Sequence, residues 1–335
     1  MCGTSNFPLP EASPVAGLGI LGVKVFFVIS GYLITGILLK ELTQTGDIDL
    51  PKFYFRRALR LFPAAWLFIT VAAFLHQLGF LPLGRYEILF AYGYAENYYE
   101  GRSFSIGHLW TLAIEEQFYL LWPVVLKLLG SVRSRTFLIA VLCTAPFFRL
   151  MSTVAPPAFN FLMYSDILAT GCLVAVLEKE LTADLRYRKL LASRFMALLP
   201  LLALLLNYYP RSTKLSWLIG ETIGNVSIAI SIHWCILNSR TAVGRFLNQG
   251  FMVWVGVLSY SLYLWQQLFT RFGVKSGVSA FPVNILLMFL VALASYHFVE
   301  KPFLRLRGRL ESRWGSREQR PLAGISISGA KGAST

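Results

Sequence analysis

Charged residues are scarce in this 335-residue sequence. They make up 14% of it, whereas hydrophobic residues make up 56% and the mean hydropathy is +0.58. Soluble domains carry about 25% charged residues, and a soluble fold of this length cannot bury so much apolar surface. The shortage of charge excludes a cytosolic enzyme, a disordered chain and a fibrous protein. It predicts an all-α polytopic transmembrane helical bundle whose apolar side chains face lipid.

Acidic residues and cysteines are also few. There are 17 Asp and Glu against 31 Lys and Arg, a net charge of +14, and only four cysteines, none with CxxC spacing. Basic loops on the cytoplasmic side of a membrane explain such an excess, so we expect no nucleic-acid partner. The cysteines predict neither disulfides nor a metal site. The absence of a P-loop, a GxSxG elbow and an HExxH motif argues against an ATPase, a common serine esterase and a zinc protease.

Nine apolar runs approach the length of about 20 residues that a helix needs to cross a bilayer. They are Val15–Leu39, Ala58–Phe80, His108–Leu129, Thr136–Met151, Asn160–Leu177, Leu190–Leu206, Leu215–Leu237, Phe251–Phe269 and Phe281–Val299. A tenth stretch, Tyr86–Tyr99, is short and aromatic and carries Glu87, Glu96 and Asn97. We predict about nine spans, with Tyr86–Tyr99 as a re-entrant or interfacial segment.

The distribution of Lys and Arg decides the status of Tyr86–Tyr99. If this stretch does not span, 22 basic residues fall on one side of the membrane and seven on the other. If it spans, the split is 18 against 11. The rule that positive loops stay cytoplasmic favours the first arrangement, and therefore an outside N-terminus and a cytoplasmic C-terminus. We expect an external segment at 1–14, a membrane domain at 15–303 and a basic tail at 304–335, disordered from about Gly315.

The stretch His108–Pro123 (HLWTLAIEEQFYLLWP) places ionisable groups at membrane depth, where they are costly and usually functional. Helical spacing puts a stripe of polar and aromatic residues on one face, namely His108, Thr111, Glu115, Tyr119 and Trp122. Glu116 lies roughly 100° away from this stripe. About 10 Å of helix axis separates His108 from Glu115, so they could line one cavity without pairing. The alternative is that both glutamates only pair with arginines of neighbouring helices.

Two further stretches are less specific. In Lys52–Trp66 (KFYFRRALRLFPAAW), Arg56, Arg57 and Arg60 lie close together at the start of a span. They fit either a cytoplasmic anchor or a site for the phosphates of a cytosolic donor. In Gly22–Lys40, small residues such as Ser30 indicate close helix packing, and Lys24 near the outer end is expected to snorkel.

In this order, several stretches resemble the membrane acyltransferase-3 family, which includes O-antigen and other polysaccharide O-acetylases. They are GVKVFFVISGYLIT at Gly22–Thr35, FYFRRALRLFPAAW at Phe53–Trp66, ENYY at Glu96–Tyr99, SIGHLWTLAIEEQFYLLWP at Ser105–Pro123, SYSLYLWQQ at Ser259–Gln267 and HFVEKPF at His297–Phe303. The resemblance implies about ten helices, a bacterial inner-membrane location and no tightly bound cofactor. It also implies an acyl-CoA co-substrate, typically acetyl-CoA, and a glycan or glycolipid acceptor such as lipopolysaccharide.

The resemblance implies that a first helix, with an arginine and a catalytic histidine, would precede Met1. Lys24 stands where many members have aspartate, and Gln266 where many have histidine. For acyl transfer to a sugar hydroxyl, the base candidates are His108 and Glu115, with Glu116 second, and Arg56, Arg57 and Arg60 would hold donor phosphates. We assign Ser30, Trp110, Tyr119 and Gln266 to substrate binding or support, and no residue to a metal.

Two other functions remain open from the sequence. A transporter or flippase for a lipid-linked sugar would also use polar interior faces, although the inverted repeats and broken helix pairs typical of transporters are not visible. An inactive truncated paralogue would explain the missing first helix.

Overall fold

The computed structural model describes residues 14–154, 161–208, 216–270 and 280–318. These residues form helices and connecting turns, and no strand occurs among them. The helices are α1 (Pro14–Thr45), α2 (Leu50–Gln77), α3 (Glu87–Tyr92), α4 (Leu109–Val154), α5 (Phe161–Val176), α6 (Glu178–Ala183), α7 (Leu185–Ala192), α8 (Leu198–Tyr208), α9 (Glu221–Leu237), α10 (Ala242–Leu247), α11 (Gly250–Phe269), α12 (Val283–Ser295) and α13 (Lys301–Glu318). Single turns of 3₁₀ or π helix occur at Glu96–Tyr98, Arg194–Ala197, Ser216–Gly220 and Tyr296–Glu300. The predicted all-α class is confirmed for the described residues.

Within the described ranges, three helices are long and apolar enough to cross a membrane, at Gly17–Thr45, Leu50–Gln77 and Val283–Ser312. A fourth crossing results if the pair Leu185–Ala192 and Arg194–Tyr208 counts as one span, but this pair is bent by 69°. The bend falls inside the predicted span Leu190–Leu206, where Ser193 caps the next turn, and that this run crosses the membrane stays a prediction. The predicted total of about nine spans is not confirmed and stays a prediction.

α4 is two helices that meet at Gly130. This glycine has φ 66° and ψ −179°, a backbone conformation that side chains disfavour, so the chain turns there. The turn falls between two predicted spans, His108–Leu129 and Thr136–Met151. Each of these runs is helical, and the apolar pattern located their boundary correctly.

The segment between α2 and α4 folds back into the bundle. After α3, Tyr94 adopts φ 49°, and a 3₁₀ turn follows at Glu96–Tyr98. The amide of Gln117 on α4 donates to the Tyr94 carbonyl at 3.0 Å and to the Asn97 side chain at 2.9 Å. Gln117 lies about 12 Å along the α4 axis from Leu109, so this segment reaches well below the start of the helix.

α1 and α5 touch backbone to backbone. A β-carbon at Gly31 on α1 would collide with the carbonyl oxygen of Leu168, and one at Gly171 on α5 would collide with that of Val28. Only glycine at both positions permits this approach, which is the small-residue packing expected of membrane helices.

Two buried ion pairs join the helices around this contact. Lys24 on α1 lies 2.6 Å from Glu221 on α9, and both side chains are largely buried. The expectation that Lys24 snorkels is therefore wrong, because its ammonium has a carboxylate partner inside the bundle. Arg149 on α4 pairs with Asp166 on α5, and Asn225 on α9 donates to the same carboxylate at 3.1 Å.

α13 packs along α2 and forms the end of the described chain. Arg56 on α2 lies 2.8 Å from Glu311 on α13. The helix continues to Glu318, and the disorder expected for the tail stays a prediction. The rest of the predicted tail lies outside the described residues.

Candidate functional site

A buried polar cluster lies where α1, α2 and α4 meet, and Glu115 is at its centre. Ser30 on α1 donates its hydroxyl to Glu115 Oε1 at 2.6 Å, and Tyr119, one turn along α4, donates its hydroxyl to the same oxygen. The Tyr119 hydroxyl is also 3.3 Å from Ser30 Oγ. The three side chains are buried, so Glu115 is held in a fixed position by two hydroxyl groups.

Arg57 supplies positive charge to this cluster. Its guanidinium lies 4.7 Å from the centre of the Tyr119 ring and 5.8 Å from that of the Phe53 ring. It is within electrostatic reach of both Glu115 and Glu116. A guanidinium over an aromatic face is a favourable cation–π arrangement, and it places a cation beside two carboxylates without a direct ion pair.

Glu116 points away from Ser30, toward the folded-back segment. Its Oε1 atom is buried and has no hydrogen-bond partner, and the same holds for the Tyr94 hydroxyl. These two groups are within electrostatic reach of each other, and Tyr260 on α11 is near both. Buried polar atoms without partners are uncommon in folded proteins and deserve a functional explanation.

Another carboxylate approaches from the far end of the chain. Glu300, in the π turn before α13, accepts a hydrogen bond from Ser261 on α11, and both are buried. Arg60 on α2 is exposed but within electrostatic reach of Glu300 and Glu115. The two glutamates therefore share one cationic neighbour.

The structure places His108 apart from Glu115. The imidazole lies immediately before α4 and is enclosed by α11, with Nδ1 2.8 Å from the Gln267 side-chain oxygen and Nε2 3.1 Å from the Leu264 carbonyl oxygen. Tyr263 on α11 donates to the His108 carbonyl oxygen at 2.6 Å. His108 thus packs on α11 and Glu115 on α1, and the expectation that the two side chains line one cavity stays a prediction.

The remaining predicted site residues divide between the cluster and its surroundings. Tyr119 and Ser30 belong to the cluster, and Arg60 borders it. Arg56 lies against Glu311 at the surface. Trp110 packs with its ring centre 5.0 Å from that of Tyr164. Gln266 is half-buried, and it is the neighbouring Gln267 that contacts His108.

Sequence reasoning missed several members of this region. Glu300, Ser261 and Gln267 lie inside stretches that carry the family resemblance, but nothing local distinguishes them as site residues. The useful signal for Glu300 was a carboxylate directly after the apolar run Phe281–Val299. Among the described residues, no three His, Cys, Asp or Glu side chains are grouped so that they could hold a metal ion.

In comparisons with known proteins, the chain matches an acyltransferase family model and proteins named as O-acetyltransferases. A family model described as "Acyltransferase domain" matches residues 2–297. The chain is 30% identical to "O-acetyltransferase OatA" of Staphylococcus aureus, over 87% of this chain and 53% of that protein. It is also 30% identical to "Putative peptidoglycan O-acetyltransferase YrhL" of Bacillus subtilis, over 87% of this chain and 51% of that protein. The chain spans about half the length of the curated relatives it matches. No solved structure matches it.

Proposed function

The chain belongs to the acyltransferase domain family, and on that premise we propose that it transfers an acetyl group from acetyl-CoA to a hydroxyl of a cell-envelope sugar. The observation that carries the proposal is the pair Glu115 and Glu116 beside Arg57 in the buried cluster. Two adjacent carboxylates and a cation in a water-poor place provide a base and an electrostatic stabiliser together.

Glu116 is the better placed of the two glutamates to act as the base. Glu115 accepts hydrogen bonds from Ser30 and Tyr119, whereas the Oε1 atom of Glu116 has no partner. An acceptor hydroxyl can therefore reach Glu116 without displacing an existing hydrogen bond. Glu115, held by its two hydroxyl donors, acts as a positioning residue for the neighbouring turn and for Arg57.

The proposed step is a direct acyl transfer. The sugar hydroxyl oxygen attacks the thioester carbonyl carbon and gives its proton to Glu116, so that a C–O bond forms while negative charge develops on the carbonyl oxygen. Arg57 stabilises that charge. The C–S bond then breaks, and the coenzyme A thiolate leaves with the proton that Glu116 had taken. The enzyme returns to its starting state, and no cofactor is consumed.

Arg60 is the residue we propose for the donor phosphates. Its side chain is exposed, and on α2 it lies one helical turn after Arg56 and Arg57. Arg56 contributes only when its pairing with Glu311 opens, because that carboxylate already occupies it at 2.8 Å. With this face on the cytoplasmic side, as the basic loops predict, acetyl-CoA approaches from the cytosol.

The acceptor follows from the chemistry and from the names of the relatives. One relative is named as an O-acetyltransferase and another for peptidoglycan. We propose a polysaccharide of the bacterial envelope as the acceptor class, with the protein in the cytoplasmic membrane. Lipid surrounds the bundle, since many large apolar side chains are exposed, among them Leu128, Val132 and Phe298.

The test is the O-acetyl content of envelope and secreted glycans, measured by NMR. The strains are the parent, a deletion, and the deletion complemented with the wild-type chain or with Glu116→Gln. Glu100→Gln serves as the matched control, because Glu100 is an exposed glutamate outside the cluster. Loss on deletion, restored by wild type and Glu100→Gln but not by Glu116→Gln at equal protein levels, supports the proposal. Unchanged O-acetylation on deletion contradicts it.

A further inference from the structure

Glu96, in the segment between α2 and α4, has no structural role that accounts for its position. Its side chain is 0% exposed, and neither carboxyl oxygen has a hydrogen-bond partner. Leaving a buried polar group unsatisfied destabilises a folded protein. A protein that keeps a glutamate in such a place has a use for those two oxygens that the folded chain alone does not satisfy.

The neighbouring Glu87 shows what a structural carboxylate looks like here. It accepts backbone N–H groups from Gly84 at 2.7 Å and from Ser103 at 2.6 Å, and so it fixes both ends of the segment. Glu96 makes no such bond. Burial and, to a smaller extent, the charge of Glu87 raise the pKa of Glu96 to about 8, although Arg102 opposes the rise. Glu96 is therefore largely protonated at neutral pH, able both to donate and to accept.

Arg102 links this carboxyl group to a pair of aromatic rings. Arg102 is within electrostatic reach of both Glu96 and Tyr164 on α5. The ring of Tyr164 packs against that of Trp110, with 5.0 Å between their centres. Both rings are only half-buried, so they keep accessible surface. Polar groups next to partly open aromatic faces are the usual composition of a small-molecule site.

We infer that Glu96 binds hydroxyl groups of the acceptor sugar, with Trp110 and Tyr164 forming the apolar wall of that subsite. This inference rests on the proposed function. Neighbouring hydroxyls of a sugar ring can bridge the two oxygens of one carboxyl group, and the apolar face of the ring suits an aromatic wall. A divalent cation fits less well, because Glu87 already uses both oxygens and the described residues supply no group of three metal ligands.

The position of Glu96 in the chain connects this subsite to the cluster. Two residues before it, Tyr94 lies near Glu116, and the residue after it, Asn97, is bonded to Gln117. A sugar held by Glu96 therefore lies along the segment that leads to the proposed base. A polysaccharide chain can extend away from the subsite while one ring stays bound there.

The test is direct binding of a sugar to the full chain in lipid nanodiscs. The probe is the tetramer of N-acetylglucosamine, titrated calorimetrically into wild type, Glu96→Gln, Glu96→Ala and the control Glu100→Gln. We expect the Kd to rise at least tenfold in both Glu96 variants and to stay within twofold in the control. Equal affinity of wild type and the Glu96 variants, or no binding to wild type, overturns the inference.

A second variant and a second readout keep the test decisive. If the Glu96 variants do not fold, the Trp110→Phe variant is used for the test. We expect this variant to bind the sugar at least threefold more weakly while its affinity for acetyl-CoA stays within twofold. Unchanged sugar affinity overturns the inference. Transfer of labelled acetyl to the tetramer is followed in parallel. Sugar binding that depends on Glu96 without any acetyl transfer contradicts the proposed function and supports the subsite. Transfer with an unchanged acceptor KM in the Glu96 variants supports the function and overturns the subsite.

Discussion

Ser30 and Glu115 are 85 residues apart in the sequence, and the hydroxyl of the first donates to the carboxylate of the second at 2.6 Å. This bond joins α1 to α4 at the centre of the polar cluster. The position of the Glu115 side chain on α4 therefore depends on a residue of α1.

Replacing Ser30 by alanine removes that hydroxyl and little else. A hydrogen bond to a charged group contributes about 1.5–3 kcal/mol, so we expect at least a tenfold loss of acetyl transfer per mole of protein. The assay is transfer of labelled acetyl in membranes. Ser259→Ala is the control, because its hydroxyl only bonds the Gly256 carbonyl of its own helix. Full activity in Ser30→Ala would show that Glu115 does not need this support.

Glu116→Gln separates the proposed base from its neighbour. Glutamine keeps the shape but cannot take the hydroxyl proton, and general-base catalysis contributes roughly 10²–10⁴-fold. We expect kcat to fall by that range with the donor KM nearly unchanged. Glu115→Gln should lower kcat less and shift protein stability more, since Ser30 and Tyr119 lose a charged acceptor. A larger kcat loss in Glu115→Gln would reverse the assignment.

Arg56 and Arg60 should contribute unequally to the binding of acetyl-CoA. Arg60→Gln removes an exposed cation and should raise the KM for acetyl-CoA several-fold, whereas Arg56→Gln should have a smaller effect because Glu311 already pairs with it. Glu311→Gln frees Arg56 and is expected to leave the donor KM equal or lower. Steady-state kinetics at several salt concentrations measure this, since the phosphate contribution weakens as salt screens it. Equal KM values for the Arg56 and Arg60 variants would contradict the assignment.

Lys24 and Glu221 provide a stability test. Removing one partner of a buried pair leaves an uncompensated charge and typically costs about 3–5 kcal/mol, whereas removing both can be nearly neutral. We expect Lys24→Met to lower the thermal midpoint strongly, and Lys24→Met with Glu221→Gln to recover much of it. Midpoints in detergent, followed by fluorescence, give the comparison. Additive losses in the double variant would mean that the pair is not coupled.

The raised pKa of Glu96 predicts that the stability of the protein depends on pH. Its folded-state pKa is raised to about 8 from an ordinary value of about 4.3. Between these values the folded protein holds a proton that the unfolded chain releases, so stability falls as pH rises. Relative to Glu96→Gln, the wild-type thermal midpoint should therefore drop between pH 5 and pH 8. Parallel curves for the two proteins would show that Glu96 is ionised at neutral pH.

Much of the helix pattern could be predicted from the sequence. Long apolar runs located the helices, and the charged pair Glu115 and Glu116 stood out because carboxylates inside such runs are costly. The break at Gly130 fell where the apolar pattern paused. The apolar runs do not show which helices cross the membrane completely. The 69° bend before Arg194–Tyr208, for example, depends on the cap at Ser193 and on tertiary packing.

Most partners of the polar residues could not be predicted. Helical periodicity puts His108 and Glu115 on one face, but it does not say which helix covers that face at each level. α11 supplies the partner of His108 and α1 that of Glu115, so two residues seven positions apart bond to different helices. The pairing of Lys24 with Glu221 joins positions 197 residues apart, and a single sequence carries no signal for it.

The glycine contact between α1 and α5 also bears on where in the bundle the proposed reaction takes place. Each helix rests a carbonyl oxygen against the α-carbon of the other, and a larger side chain at either glycine would collide there. Ser30 lies next to Gly31 on α1, so this contact sets the height at which the Ser30 hydroxyl meets Glu115. Under the proposed function, both substrates have to reach a carboxylate whose height in the bundle is set by that contact. The bundle would then serve as a partition with one reactive point inside it, in contrast to an alternating-access carrier.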